Sequence, residues 1–363
     1  MSDEKGNPLD GQTKSDKAET MRKDQYTRWD FSKVDMNGEE LKGAKMQVLN
    51  AEGNVATYQD DKWQEQKAEW TSDGTPHRIS MLPIGNYTLH EEQSIEGYTL
   101  ATDIPFEVTN TGVLCKVVMT NKKLIVKKLD VLGNGVKKAG LEIYEVHFHE
   151  DGTKYLSEEP VEAWKSDGKQ YDTSNLKVGH TYRLVESKVP KGYVEAEPID
   201  FTITDDLTDQ TVVMMDKKVL VSKVNTKITM IAGAKLEVRD SEGQVVDAWT
   251  SDGTAYSVSG LKAGQTYTLV ETEAPEGYVL ADPIEFTVTK NWFADDSFEL
   301  TNTQVFMSKV DVTGEKEVPG ATLTVTDKET DQEVDKWVSG QEPHAISRPV
   351  SYTHLTLPTI LLV

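Results

Sequence analysis

The chain has 363 residues, with 39 Lys and Arg against 61 Asp and Glu, and a formal net charge of −22 at pH 7. So acidic a balance speaks against nucleic acid, whose phosphates need a basic face, and favours solubility and self-repulsion instead. No apolar run approaches the ~18 residues of a membrane-spanning helix, and the single cysteine, Cys115, leaves no intrachain disulfide to supplement small cores.

The first stretch, Met1 to Thr20, is polar throughout and lacks the apolar centre of a signal peptide. Residues 1–25 are therefore expected to form a polar, flexible lead, and the chain is either cytosolic or an internal piece of something longer. From residue 26 onward, short runs of alternating apolar and polar residues are separated by turn pairs such as Asn37-Gly38, Glu52-Gly53, Asp73-Gly74, Asp151-Gly152 and Glu242-Gly243. No helical period persists beyond a few turns, so the pattern predicts an all-β chain of sandwich or barrel modules.

The modules repeat. Lys33, Lys128, Lys223 and Lys309 open successive units, spaced like small β domains rather than solenoid repeats. Trp70, Ser72, Asp73 and Gly74 recur as Trp164, Ser166, Asp167 and Gly168 and as Trp249, Ser251, Asp252 and Gly253, and Gly97-Tyr98 recurs as Gly192-Tyr193 and Gly277-Tyr278. The organisation read from these landmarks is a domain at 26–122, a second at 123–217, a third at 218–304, a truncated fourth at 305–347, and a tail at 348–363 that fits no part of the repeat. Linkers are nearly absent, since Asn121-Lys122-Lys123 runs straight into Leu124 and Asp216-Lys217-Lys218 into Val219. Domains so joined predict a stiff, elongated array.

In step with each lysine come a glutamate and then an asparagine or aspartate: Glu91 and Asn121, Glu186 and Asp216, Glu271 and Asn302. Strand alternation puts each of them on an apolar face. Phe31 and Lys33 share a face, as do Val126 and Lys128, Val221 and Lys223, and Met307 and Lys309. Lys127 falls on the other face beside Leu129. Tyr87, Leu89 and Glu91 line up, as do Val117, Met119 and Asn121, with the same stripes in the next two units. A lone strand-end lysine would be read as snorkelling to solvent. Three coordinated sets of lysine, acid and carboxamide (or carboxylate) in an apolar place are costly unless mutually satisfied or chemically consumed.

The units resemble collagen-adhesin B-type (CnaB, or SpaA) domains, the prealbumin-like β sandwiches of Gram-positive surface adhesins and pilins. The resemblance spans roughly 26–346. Its carriers are Phe31-Ser32-Lys33-Val34-Asp35 with Gly43-Ala44, the Trp-x-Ser-Asp-Gly turn, and Tyr267 to Thr272 followed by Ala274-Pro275-Glu276-Gly277-Tyr278, similar to the family's E-box. It implies spontaneous isopeptide bonds joining Lys33 to Asn121, Lys128 to Asp216 and Lys223 to Asn302, assisted by Glu91, Glu186 and Glu271. Lys309 is left unpaired, and no cofactor or metal is called for. It also implies a cell-wall-attached extracellular parent, with host matrix or neighbouring pilus subunits as partners.

The chemistry suits these residue types. Reaching the free amine of a solvated lysine at pH 7 costs roughly 4 to 5 kcal/mol, and apolar burial, which can lower such a pKa to about 5 to 6, removes most of that. Burial likewise favours a neutral glutamic acid able to hydrogen-bond the electrophile's carbonyl and shuttle protons to the departing ammonia or water. Glu186 and Asp216 are expected to titrate as a coupled pair. The reaction runs once per domain, so the chain is no turnover enzyme, and neither a nucleophile with its base nor a phosphate loop is evident.

Some positions depart from the plan. The first unit has Gln93-Ser94-Ile95 where the third has Glu273-Ala274-Pro275, and His90 precedes its glutamate on the face expected to be exposed. His147 and His149 share a strand face without a third metal ligand, which reads as solvated surface. Cys115, set in a strand, reads as inert. Leu357-Pro358-Thr359 superficially resembles a sortase signal, but Ile360 follows and no glycine completes it. The alternative to a structural stalk is a ligand-binding adhesin module using the longer loops Tyr58 to Glu69 and His147 to Glu162.

Overall fold

A computed structural model describes residues 27–110, 112–327 and 330–346. Among them the chain is β throughout, with no helix. The N-terminal lead and the tail from 348 lie outside the described residues. The described residues fall into two compact units, one of those up to Lys128 with Leu141–Val185 and Pro198–Met214, the other of Leu129–Gly140, Glu186–Glu197 and those from Met215 onward. The first repeat lies wholly in the former and the third wholly in the latter.

The first repeat is two sheets closed on one core. His77–Ser80, Arg28–Val34 and Leu114–Thr120 form a three-stranded sheet in that order; Glu69–Asp73, Lys42–Leu49, Gly85–Gln93 and Ile104–Val108 form a four-stranded one. Between them lie Phe31, Met46, Val48, Ile79, Leu89 and Met119, all buried. The third repeat copies this with Tyr256–Ser257, Val219–Asn225 and Asp296–Asn302 against Val245–Asp252, Ala232–Arg239, Thr266–Glu273 and Ile284–Thr287. In the second, Tyr171–Asp172, Leu124–Asp130 and Gln210–Asp216 make the smaller sheet. Its larger sheet gains the short strand Lys154–Leu156, which pairs with Lys137–Phe148.

One pairing decides where the site lies. The opening strand runs parallel to the closing strand, Lys33 opposite Met119 and Val34 opposite Thr120, and Asn121 N continues the ladder by donating to Val34 O at 2.9 Å. The third repeat keeps the same arrangement, Lys223 opposite Leu300 and Asn225 opposite Asn302. Parallel neighbours need a long crossover. Here nearly the whole domain is that crossover, so the first and last strands finish at the same end of the sandwich.

Local chemistry sets the joints. After the opening strand, Asp35 Oδ1 accepts the amides of Asn37 at 2.8 Å and Glu39 at 3.0 Å, and Gly38 closes the turn at φ 84°, where a side chain would be strained. The Trp-x-Ser-Asp-Gly motif has a purpose beyond its turn. Ser72 Oγ accepts Gly43 N at 3.1 Å and Ala44 N at 3.0 Å, where the register of the Lys42–Leu49 strand slips by a bulge. Ser251 does the same for Ala234 at 3.0 Å, and Ser339 for Ala321 at 3.0 Å. The tryptophan of the motif stacks on an aromatic ring seven positions on: Trp70 on His77, Trp164 on Tyr171, Trp249 on Tyr256 and Trp337 on His344, with centroids 4.2–4.4 Å apart.

The alternative loops are now placed. The segment Tyr58 to Glu69 carries a hairpin of Thr57–Gln59 with Glu65–Lys67. His147 and His149 flank the Tyr155 ring at 5.2 and 4.4 Å, and no cluster of metal-ligating side chains occurs among the described residues. Cys115 is half-buried on the closing strand, against the first core.

The sandwich makes a stability prediction. Leu269 is fully buried in the third core, whereas Val245 is 53% exposed. Leu269→Ala should lower the unfolding free energy of that repeat by about 2–5 kcal/mol. Val245→Ala should stay within about 0.5 kcal/mol. Denaturant titration of each variant, read as a shift in midpoint at unchanged slope, checks both.

Candidate functional site

At the end of the sandwich where the parallel strands stop, the apolar stripe of each sheet terminates in a polar residue. Phe31 leads to Lys33, Leu89 to Glu91 and Met119 to Asn121, and these three are 2%, 3% and 0% exposed. Alternation also separates Lys128, which is buried, from Lys127, which is not. Glu186 and Asp216 are buried at the ends of their own stripes, as are Lys223, Glu271 and Asn302 in the third repeat. All nine side chains of the three complete triplets are thus withdrawn from solvent.

In the first repeat the three groups touch. Lys33 Nζ is in close contact with Asn121 Oδ1 and lies 3.0 Å from Glu91 Oε1. Asn121 Nδ2 donates to Glu91 Oε1 at 2.9 Å and Oε2 at 3.2 Å, to Ser94 Oγ at 2.9 Å and to Thr99 O at 3.0 Å. The Thr99 carbonyl can only accept, which fixes the amide with its nitrogen toward the glutamate and its oxygen toward the lysine. Glu91 therefore meets the amide nitrogen of Asn121, not its carbonyl. Its second oxygen is held by Ala101 N at 2.8 Å.

The third repeat keeps the frame with a looser centre. Lys223 Nζ lies 3.2 Å from Glu271 Oε1, and Asn302 Nδ2 donates to Glu271 Oε2 at 2.8 Å and to Val279 O. Ala281 N holds Glu271 Oε2 at 2.7 Å. Asn302 Oδ1, though buried, has no hydrogen-bond partner among the described residues. In the second repeat Ala196 N holds Glu186 Oε2 at 2.9 Å, the counterpart of the Ala101 and Ala281 bonds.

Burial acts on the amines as expected, but less strongly. It pulls the Lys33 pKa down to about 8, because the Glu91 carboxylate beside it pulls the other way. The sequence expectation of 5 to 6 considered desolvation without that opposing charge. Lys223 is lowered by the same burial, opposed by Glu271.

The other candidates lie elsewhere. His90 is partly exposed and its Nδ1 faces Asp103 Oδ1 at 2.7 Å, away from the lysine. Lys309 is only half-buried. Two lysines that the sequence pattern does not single out are buried at the repeat junctions. Lys122 Nζ donates to Thr204 Oγ1 at 2.8 Å and to Asp206 Oδ1 at 3.2 Å; Lys217 Nζ donates to Thr289 Oγ1 and Asp296 Oδ2, both at 2.8 Å. Their signal was the recurrence of Lys directly after Asn121 and Asp216, which reads superficially as a solvated linker.

Comparison with solved structures gives distant likenesses. A streptococcal ancillary pilin is 19% identical, with 77% of this chain and 99% of that one covered and a TM-score of 0.27. The shaft pilin SpaA of Lactobacillus rhamnosus GG is 16% identical over 53% of this chain and 97% of its own, TM-score 0.26. The Bacillus anthracis TIE protein is 22% identical, TM-score 0.21, and this chain spans about half, 51%, of its length. No curated protein matches. The SpaA prealbumin-like fold domain, in contrast, matches residues 27–123, 122–218 and 217–304, so this chain belongs to the SpaA prealbumin-like family and carries three of its domains in tandem.

Proposed function

We propose that the chain is a structural segment of a Gram-positive surface protein or pilus whose three complete repeats are each closed by an isopeptide bond. The bonds join Lys33 to Asn121, Lys128 to Asp216 and Lys223 to Asn302, with Glu91, Glu186 and Glu271 assisting. The observation that carries this reading is the position of one carboxylate oxygen. Glu91 Oε1 lies 3.0 Å from the attacking amine and 2.9 Å from the amide nitrogen that would leave.

The reaction balances through that oxygen. The neutral Lys33 Nζ attacks Asn121 Cγ, a C–N bond forms, and the proton shed by Nζ passes by way of Glu91 to Nδ2, which departs as ammonia. In the second repeat, the Asp216 carboxyl loses water in place of ammonia. With the Lys33 pKa at about 8, roughly a tenth of the amine is neutral at pH 7. Proximity supplies much of the remainder, since the partners are fixed before reaction. The Ser94 hydroxyl and the Thr99 carbonyl orient the leaving nitrogen, and the apolar stripe beneath excludes water.

The topology supports a tension-bearing role. Force entering at Arg28 runs up the opening strand to Lys33, crosses the new amide, and leaves after Asn121. The intervening residues, 88 positions of sequence separation, then lie off the load path. The same cross-link closes a loop whose entropy contributes about 4 to 5 kcal/mol in the chain-entropy account. Neighbouring pilus or surface subunits are the natural partners of such a segment, with cell-wall attachment through its parent protein.

Intact mass under denaturing conditions should fall short of the sequence mass by two ammonias and one water. Glu91→Ala should restore one ammonia and leave the other two deficits in place; a full sequence mass for the parent protein would defeat the reading. A second measurement probes the buried amine. In Asn121→Ala, Lys33 cannot be acylated. Below pH 8 both folded and unfolded states hold its proton, and the folded state bears the cost of a buried ammonium. Between about 8 and 10.5 the folded state sheds the proton while the unfolded state keeps it, so stability rises with pH by about 3 kcal/mol in all and then levels off. Denaturation of Asn121→Ala against Lys33→Met/Asn121→Ala across this range isolates the rise, which the cross-linked parent should lack.

A further inference from the structure

The segment that covers the first site is itself held from outside the repeat. Residues 94–100 follow the glutamate strand and lie over Asn121, whose Nδ2 they receive through Ser94 Oγ and Thr99 O. The Ser94 hydroxyl donates in turn to Thr99 O at 3.0 Å. On its other side this segment bonds to a loop of the second repeat, within the same compact unit. Ser94 N donates to Asn175 Oδ1 at 3.1 Å, Gly97 N to Ser174 Oγ at 2.9 Å, Leu100 N to Leu176 O at 2.9 Å, and Asn175 N to Tyr98 O at 3.1 Å. Asn175 sits at φ 58°, the left-handed region in which asparagine is among the few tolerated side chains.

Part of this docking is common to the next junction. Gly192 N donates to Ser259 Oγ at 3.0 Å, and Glu195 N to Leu261 O at 3.3 Å. The Ser94–Asn175 contact is not. At the position of Ser94 the later repeats have Val189 and Ala274, and at the position of Asn175 the third repeat has Gly260, also left-handed at φ 75°. The later repeats also carry Pro190 and Pro275 where the first has Ile95. Proline pre-sets φ and stiffens that turn in the later repeats; the first repeat lacks this stiffening.

We propose that Asn175 is a positioning residue for the first cross-link: the second repeat, through the Asn175 carboxamide and the Ser94 backbone, fixes the Ser94 hydroxyl against the leaving nitrogen of Asn121. Amide formation in the first repeat then depends on a folded neighbour. The first repeat matures only when the second has formed. Lys122 strengthens the same coupling, since it follows Asn121 directly and buries its amine against Thr204 and Asp206 of the second repeat, while its carbonyl accepts Thr99 N at 3.0 Å. The inference rests on the Lys33–Asn121 bond argued above.

The test is a pulse of cell-free synthesis of the full chain, followed by denatured intact mass and mapping of cross-linked peptides at successive times. Asn175→Gly deletes the acceptor while keeping the backbone conformation that Gly260 already shows to be compatible with the fold. Ser94→Ala deletes the hydroxyl from within the first repeat. Both should slow ammonia loss from the Lys33–Asn121 pair at least tenfold, leaving the other two pairs at the parental rate. Asn175→Asp, which keeps an acceptor oxygen and tolerates the left-handed region, should restore the rate; a merely structural role would show no such rescue. Parental speed and completeness at the first pair in both Asn175→Gly and Ser94→Ala would overturn the inference. A parent that never loses ammonia at any repeat would instead overturn the cross-linking reading.

Discussion

The structure turns on the burial of a primary amine at the end of a parallel strand pair. An ammonium in an apolar setting is costly, and the first repeat meets that cost only in part, through the Glu91 carboxylate 3.0 Å away. The balance between desolvation and that carboxylate sets the amine's pKa at about 8, so that at pH 7 it is mostly charged with roughly a tenth neutral. Either effect alone would spoil this. A buried lysine with no acid beside it would lose the countercharge that holds its pKa up, and one in water would remain charged.

The parallel pairing gives that amine its partner. An antiparallel closing strand would put its last residue at the far end of the opening strand, out of reach. Because opening and closing strands run together, the residue after Met119 in the stripe and the residue after Phe31 in its own come to the same depth, on the same side. The four-stranded sheet brings the glutamate there by the same count, two residues beyond Leu89. Three independent two-residue periods ending at one level are what make the site.

Much of this was legible in the sequence, because it depends on period and recurrence. Alternation separates Lys128 from Lys127, the turn pairs mark the joints, and the recurring triplets coincide with the buried polar residues. What the sequence left open was set by contacts distant along the chain. Lys122 and its acceptor Thr204 are 82 positions apart, and nothing local distinguishes a buried junction lysine from a solvated one. The serine of the Trp-x-Ser-Asp-Gly motif reads as a turn residue, yet its hydroxyl holds a bulge in another strand. Which atom of Asn121 faces Glu91 depends on the Thr99 carbonyl, and the depth of the Lys33 pKa depends on an opposing charge whose distance only the fold supplies.

Within the chain, the fourth repeat shows what happens when the opening sequence lacks the pairing. Its start has the same local chemistry: Lys309 N donates to Glu317 Oε2 at 3.1 Å, as Lys33 N does to Glu40 Oε2 at 3.2 Å, and Asp311 takes the place of Asp35 in the turn. Among the described residues, the strand Phe306–Met307 pairs with His344–Ala345 and with no parallel neighbour. Lys309 and Met307, the counterpart of Phe31 on its stripe, are then both half-buried, whereas Lys33 and Phe31 are sealed. The apolar stripe and the lysine at its end are thus insufficient by themselves. In the first and third repeats the sealed lysine lies opposite a parallel closing strand, the same element that ends in the asparagine.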